Sequence, residues 1–319
     1  MKKKIYFLLL LLSGFSISYA QQTRENSFKV IPLGVKGGLD ESNLSSYMIA
    51  PAGSNNFICA DAGTIRHGLD VAIKNQLFKG PADEVLKNNI KGYLVSHAHL
   101  DHVAGLIMNS PDDSAKNIYA LPSVIEVLRA QYFTWKAWAN FANEGEAPRL
   151  NKYTYVHLEE KVKIDLKGTE MQVVPFILSH GPAYESTAFL ISHQDAALLY
   201  LGDTGADEIE KNTQLEKLWK EIAPLIVKNQ LKAIFIETSF SNKQPESQLF
   251  GHLTPKLLMT ELTKLSKLTG ISALQKVSVV ITHMKAWDKE ELYLVNELKK
   301  TNTMGLKLVF PEQGKALMF

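Results

Sequence analysis

The stretch Ser96-His97-Ala98-His99-Leu100-Asp101-His102 places three imidazoles and one carboxylate within six consecutive positions. His97 and His99 are two apart, so in extended chain both side chains project to the same side. Asp101 and His102 come where the chain turns and reach a second point nearby. Neutral imidazole and carboxylate suit zinc, with iron and manganese as alternatives. Divalent ions held this way polarise a bound oxygen and lower the pKa of water. A lone histidine on a turn is an incidental polar residue, whereas this spacing beside an aspartate is a ligand pattern.

The elements that must position these groups follow from the apolar pattern. Tyr93-Leu94-Val95 reads as a buried strand ending at Ser96, and residues 103–107 read as the start of a helix. The polar groups therefore sit on a strand-to-helix turn at the carboxyl end of a strand, where open α/β sheets bind ligands. Other strands end in similar residues. His180 follows the strand 171–178, Asp203 the strand 197–201, Glu237 the strand 232–236 and His283 the strand 277–282. Each comes after an apolar run, so each should emerge on the sheet edge that carries His97. Asp61 closes the strand 57–60 in Asp61-Ala62-Gly63-Thr64, a sequence that also fits a plain turn.

Further strands are expected at 28–33, at 46–50 paired with 57–60, at 153–157, at 187–192 in a hairpin with 197–201, and at 306–310. Helices are expected at 69–78, 82–88, 215–227, 254–268 and 289–300. Residues 123–141 read as one more helix, dense in aromatics: Tyr132, Phe133, Trp135, Trp138 and Phe141. Strands at both ends with helices interleaved fit an α/β chain of two facing mixed sheets with helices outside. No repeat, low-complexity run or linker interrupts the pattern.

The pattern His97-x-His99-x-Asp101-His102 resembles the hallmark of the metallo-β-lactamase superfamily. The longer string from His97 to Pro111 has His-Leu-Asp-His, then Gly105, an apolar run and Ser110-Pro111. It resembles the signature of the class II cyclic-nucleotide phosphodiesterases. Trp138-Ala139-Asn140-Phe141 is similar to an aromatic segment of the same family. The resemblance implies an αββα four-layer sandwich over residues 21–319. It places His97, His99 and His180 on one metal ion and Asp101, His102 and His283 on a second. Asp203 would bridge the two, Asp101 would also count among the catalytic groups, and Asp61 would support a ligating histidine from behind. Five neutral histidines, two aspartates, two divalent ions and a hydroxide sum to about +1, which suits a phosphodiester monoanion. The implied reaction is hydrolysis of cAMP, cGMP or both to the 5′-nucleotide by a hydroxide held between the two ions.

The leaving ribose oxygen needs a proton, and His252 is the candidate general acid, oriented by Glu237. The superfamily's tRNA-processing nucleases have a similar Glu and His pair. His252 also precedes Thr254-Pro255, which read as N-cap and N1, so it equally fits a surface residue leading a helix. His67, His157 and His193 read as structural or surface residues, His67 being the nearest to Asp61 in sequence. The aromatic helix suits either stacking on a purine base or packing in a core or a homodimer interface.

Met1-Lys2-Lys3-Lys4, an apolar run from Ile5 to Leu12, and Ser18-Tyr19-Ala20 read as a secretory signal peptide over residues 1–20. Export to the periplasm or medium is the expectation, with no membrane contact after cleavage. Removing the three lysines of this leader takes the formal net charge of +2 to −1, which argues against a nucleic-acid partner. The single Cys59 cannot form an internal disulfide and reads as a small core residue. An RNA nuclease, a lactonase or thioesterase, and a non-enzymatic nucleotide sensor compete with the phosphodiesterase reading. Export opposes the first, the longer signature and Glu237–His252 oppose the second, and the complete ligand set opposes the third.

Overall fold

Along Ala196–Leu201 the side chains of Ala196, Leu198 and Tyr200 enter one apolar core, and those of Ala197, Leu199 and Leu201 enter another. Strand side chains alternate in direction, so a strand that is apolar at every position must lie between two cores. The computed structural model, which describes residues 27–182 and 184–319, shows this sandwich. The expected signal peptide lies outside the described residues.

In chain order the strands are β1 (Phe28–Gly34), β2 (Ser46–Pro51), β3 (Phe57–Ala60), β4 (Ile90–Leu94), β5 (Lys116–Ala120), β6 (Tyr153–His157), β7 (Ile164–Asp165), β8 (Gln172–Ser179), β9 (Glu185–His193), β10 (Ala196–Leu201), β11 (Leu231–Glu237), β12 (Ser278–Thr282), β13 (Lys307–Val309) and β14 (Leu317–Met318). They form two seven-stranded sheets, ordered β14-β1-β2-β3-β4-β5-β6 and β13-β12-β11-β10-β9-β8-β7. Both are mixed. The first is parallel from β3 to β6, the second from β10 to β13, and the remainder of each is antiparallel. Helices α1 (Arg66–Lys74), α2 (Ala82–Asn89), α3 (Leu100–Asn109) and α4 (Pro122–Val127) pack on the first sheet. Helices α5 (Asp207–Glu210), α6 (Gln214–Val227), α7 (Pro255–Thr269), α8 (Ile271–Leu274) and α9 (Asp288–Thr301) belong to the second half, where α6, α7 and α9 cover the outer face of the second sheet.

This topology builds one functional edge. β3 and β4 are parallel and end together, as are β10, β11 and β12. β8 runs antiparallel to β9, which runs antiparallel to β10, so β8 ends at the same edge as β10. The two sheets are tied together there: Thr187 Oγ1 donates to Ser96 O at 2.8 Å, and His283 N donates to Val35 O at 2.9 Å.

Two expectations need correction. The helix expected over 123–141 ends far earlier: α4 stops at Val127, a single π-helical turn covers Leu128–Tyr132, and the chain then leaves the helix. Polar side chains capture the backbone instead. Thr134 Oγ1 accepts from the N–H groups of Lys136 and Ala137, Trp135 adopts φ +63°, and Asn140 Nδ2 donates to Glu144 O and Glu146 O. Such local side-chain bonds compete with a helix more effectively than aromatic spacing supports one. Strand β5 has no counterpart among the expected strands, because Lys116 and Asn117 break its apolar run. Lys116 is nonetheless buried, paired with Asp113 and donating to Leu86 O at 2.7 Å.

Candidate active site and metal centre

The turn after β4 is anchored by Asp61, at the end of β3. Asp61 is fully buried and sits at φ +52°, a strained region for a residue with a side chain. Its carboxylate accepts from Ser96 N and Ser96 Oγ, both at 2.8 Å, from His102 Nδ1 at 2.8 Å and from Tyr200 Oη at 2.7 Å. Ser96 spends its hydroxyl proton on Asp61, so its oxygen accepts from His97 Nδ1 at 3.0 Å. Both histidines are thereby fixed with Nδ1 protonated and Nε2 turned inward.

The other imidazoles are oriented in the same manner. His180 Nδ1 donates to Gly251 O at 2.9 Å. Gly251 has φ +76°, and a Cβ there would lie 2.4 Å from Gly181 N, so only glycine brings this carbonyl close enough. His283 sits at φ +58° and donates from Nδ1 to Ser239 Oγ at 3.0 Å, while Ser239 Oγ donates to Glu237 at 2.6 Å.

The inward nitrogens gather in overlapping groups: that of His97, His99 and His180 shares no residue with that of Asp101, His102 and His283, while His252 falls in groups with His180 and Asp203 and with Glu237 and His283. His97 Nε2 lies 3.1 Å from His99 Nδ1, which lies 3.3 Å from His180 Nε2. His102 Nε2 lies 3.1 Å from His283 Nε2, which lies 3.1 Å from Asp101 Oδ2. In neutral rings these are lone pairs facing lone pairs, an arrangement that a cation satisfies. The ligand atoms of His97, His99 and His180 lie within 4.8 Å of one another, as do those of Asp101, His102 and His283. Asp203 faces both groups: its oxygens are 3.8 Å from His97 Nε2 and 3.7 Å from His180 Nε2, and 3.3 Å from both His102 Nε2 and His283 Nε2. Nitrogen and carboxylate donors in this number fit divalent metal ions.

Protonation follows the same geometry. Burial, reinforced by His102, pushes the pKa of His97 well below the ordinary imidazole value. Burial and His180 bring that of His99 down to about 4. Burial also opposes charge on His102, but Asp203, Asp61 and Asp101 outweigh it and hold its pKa well above the ordinary value. For Asp101 and Asp203 burial favours the neutral acid, yet the adjacent histidines prevail, His102 foremost at Asp101 and His283 at Asp203, and keep both well below the carboxylate range. Asp101 Oδ2 also accepts from Gly38 N at 2.8 Å.

His252 is buried rather than a surface residue, although Thr254 and Pro255 do cap α7 as expected. Its Nδ1 donates to Glu237 Oε1 at 2.7 Å. Its ring stacks on His283 at 5.3 Å and stands edge-on to His180 at 4.8 Å, which brings it beside both clusters. Burial disfavours its charged form, but Glu237 overrides this and raises its pKa. Its other nitrogen, Nε2, lies 2.9 Å from Lys285 Nζ. Each of the nominated residues, Asp61, His97, His99, Asp101, His102, His180, Asp203, Glu237, His252 and His283, therefore meets at one edge. His67 lies exposed on α1, and His157 and His193 face Glu144 and Glu170 away from the site.

Sequence reasoning missed Ser239, Lys285 and Tyr184. Ser239 follows Glu237 closely, but its bond to His283 depends on the packing of β11 against β12. Tyr184 stacks on His99, with centroids 4.6 Å apart and planes inclined by 5°. It also lines a cavity of about 340 Å³ between Val124, Ile177, Glu185 and Asn212. The aromatic segment reaches the site through Tyr132, whose hydroxyl donates to Ala98 O at 2.9 Å. Trp135 and Trp138 are tied to Pro148 O and Ser110 Oγ.

The family described as cAMP phosphodiesterases class-II matches residues 81–314. A 3′,5′-cyclic-nucleotide phosphodiesterase of Aliivibrio fischeri is 40% identical over 333 residues, covering 100% of this chain and 99% of the relative. A probable 3′,5′-cyclic-nucleotide phosphodiesterase of Yersinia pestis is 36% identical, covering 92% of this chain and 90% of its own. Among solved structures, unliganded yeast PDE1 superposes with a TM-score of 0.81 at 23% identity, over 92% of this chain and 100% of that one. The metallo-β-lactamase fold protein YhfI from Bacillus subtilis superposes with a TM-score of 0.61 at 16% identity, over 92% and 99%.

Proposed function

We propose, for a chain that belongs to the class-II cAMP phosphodiesterase family and is a 3′,5′-cyclic-nucleotide phosphodiesterase, a mechanism in which Asp203 joins two metal clusters and His252 protonates the leaving oxygen. His97, His99 and His180 would hold one divalent ion, and Asp101, His102 and His283 would hold the other. Zinc is the first choice for this donor set, with iron or manganese as alternatives. Divalent ions held there would supply Lewis acidity toward the phosphoryl oxygens and a lowered pKa for water, and so a nucleophile near neutral pH. The observation that carries the reading is the double facing of Asp203, within 3.8 Å of ligand nitrogens in both clusters.

The rest is done by this chain's own residues. Attack on phosphorus opposite the ribose 3′ oxygen breaks the P–O3′ bond and yields the 5′-nucleotide. O3′ leaves poorly as an alkoxide, so it takes a proton from His252 Nε2. Glu237 holds the opposite nitrogen of that ring and stabilises its charge. The cavity beside Tyr184 takes the nucleobase: one of its walls is Tyr184, whose ring stacks on His99, and it has the size of a small-ligand pocket. cAMP and cGMP are both candidate substrates. Residues 1–20 direct export, and cleavage after Ala20 leaves Gln21 first.

Purified protein incubated with cAMP, cGMP and 2′,3′-cyclic nucleotides, with products separated by chromatography, tests the reading. 5′-nucleotides from the 3′,5′-cyclic substrates are expected. Turnover of only the 2′,3′-cyclic compounds, or a 3′-nucleotide product, would sink it.

A further inference from the structure

We infer that Lys285 binds a non-bridging oxygen of the substrate phosphate, and that it stands on His252 only until a phosphodiester arrives. The inference rests on the phosphodiesterase reading and adds to it a substrate-contacting residue outside the metal ligands and the Glu237–His252 pair.

Lys285 lies two residues after His283 and is half-buried. Its backbone is pinned, with N donating to Ser239 O at 3.0 Å. Its side chain runs along the mouth of the site: a Cβ built on Gly38, the residue whose N–H reaches Asp101, would lie 3.9 Å from Lys285 Cε. The ammonium ends 2.9 Å from His252 Nε2 and 5.9 Å from the centre of the Phe240 ring. Among the described residues it has no carboxylate within ion-pair distance, and His252 is its one hydrogen-bond partner. Other sequestered lysines are treated differently. Lys36 pairs with Glu291 and Ala286 O, and Lys116 with Asp113 and Leu86 O. A sheltered cation whose partner is a neutral imidazole is incompletely matched, whereas a phosphodiester oxygen supplies the charge it lacks.

The position also fits the reaction. His252 Nδ1 is fixed on Glu237, so Nε2 is the only ring atom that can reach the leaving oxygen. Whatever Nε2 touches lies next to Lys285 Nζ, and the phosphorus is one bond from that oxygen. Moving Nζ onto a phosphoryl oxygen therefore serves two ends at once: it places a positive charge where negative charge grows, and it frees the Nε2 lone pair to take from solvent the proton that it passes to O3′.

Lys285→Met, Lys285→Gln and Lys285→Arg, assayed on cAMP and on bis(p-nitrophenyl) phosphate with inorganic phosphate as competitor, test the inference. The phosphoryl oxygen is common to both substrates, so the Met and Gln variants should lose kcat/KM on both by a similar factor, roughly 10²–10³. Phosphate inhibition should weaken in parallel, metal content should not change, and Arg should recover most of the loss. Loss on cAMP alone would mean that Lys285 acts only through His252 and would overturn the inference. No loss, or equal loss in the Arg and Gln variants, would overturn it too, and that pair decides the matter even if Met fails to fold. A wild-type protein inert toward cAMP would refute the phosphodiesterase reading separately, since the aryl diester and phosphate competition still report on Lys285.

Discussion

The site is built from two arms with the same wiring. In one, Asp61 at the end of β3 holds His102 directly and His97 through Ser96. In the other, Glu237 at the end of β11 holds His252 directly and His283 through Ser239. Each arm is a buried carboxylate, a serine that passes on its proton, and two imidazoles aimed by their Nδ1 bonds. The arms differ at one atom. His102 Nε2 faces Asp203 and His283, an anion and a lone pair, whereas His252 Nε2 faces the Lys285 ammonium. In the proposed mechanism a cation there would disfavour a metal ion and keep the imidazole for proton transfer. The same scaffold would thus serve a ligand in one arm and an acid in the other, according to the charge placed at the far nitrogen.

The largest expected effect comes from the residue that the arms share. Asp203→Ala should empty both clusters and reduce activity to background, read by elemental analysis and cAMP turnover; two ions retained per chain would refute the bridge.

The direct histidines should separate the arms. His102→Ala should lose an ion along with activity. His252→Ala should keep both ions and lose roughly 10²–10⁴-fold on cAMP, but much less on a p-nitrophenyl phosphodiester, whose leaving group needs no proton. Metal loss from the His252 variant would show the arms to be equivalent after all.

The carboxylates behind them should follow with smaller effects. Asp61→Asn should weaken metal affinity by about 10–100-fold, the usual cost of losing a partner behind a ligand. Glu237→Gln should leave metal affinity nearer to wild type and lower kcat on cAMP. Metal titrations of the two variants compare them directly.

The smallest effect concerns pH in protein stripped of metal by chelation. His252, facing Glu237, Asp203 and Lys285, has a pKa raised above 6.5 by the carboxylates, so it contributes stability below pH 6.5 that is lost as pH rises through its folded value. His97, facing His102, Asp203, His180 and His99, has a pKa held well below 6.5 by burial, so it costs stability as pH falls beneath 6.5. Urea unfolding should show His252→Ala more damaging at pH 6 than at pH 9, and His97→Ala the reverse. Parallel pH profiles would contradict the opposite roles of direct and relayed contact.

The sequence by itself determined the candidate ligands and the strands that deliver them. His97, His99, Asp101 and His102 are local, and His180, Asp203, Glu237 and His283 each follow a short apolar run that reads as a buried strand. Strand period and burial are local properties of the chain, so this much is legible in one dimension. The aromatic segment was misread because polar side chains at Thr134 and Asn140 compete with the helix, a contest that spacing does not record. Only the tertiary structure decided which nitrogen each histidine presents. That choice rests on Ser96, Ser239 and Gly251 O, which meet their histidines through sheet pairing and a glycine turn. It also decided the difference between the arms, because Lys285 and His252 are 33 residues apart and touch only once β12 lies beside β11. Charge at a single atom depends on every element packed around it, and no local pattern carries that information.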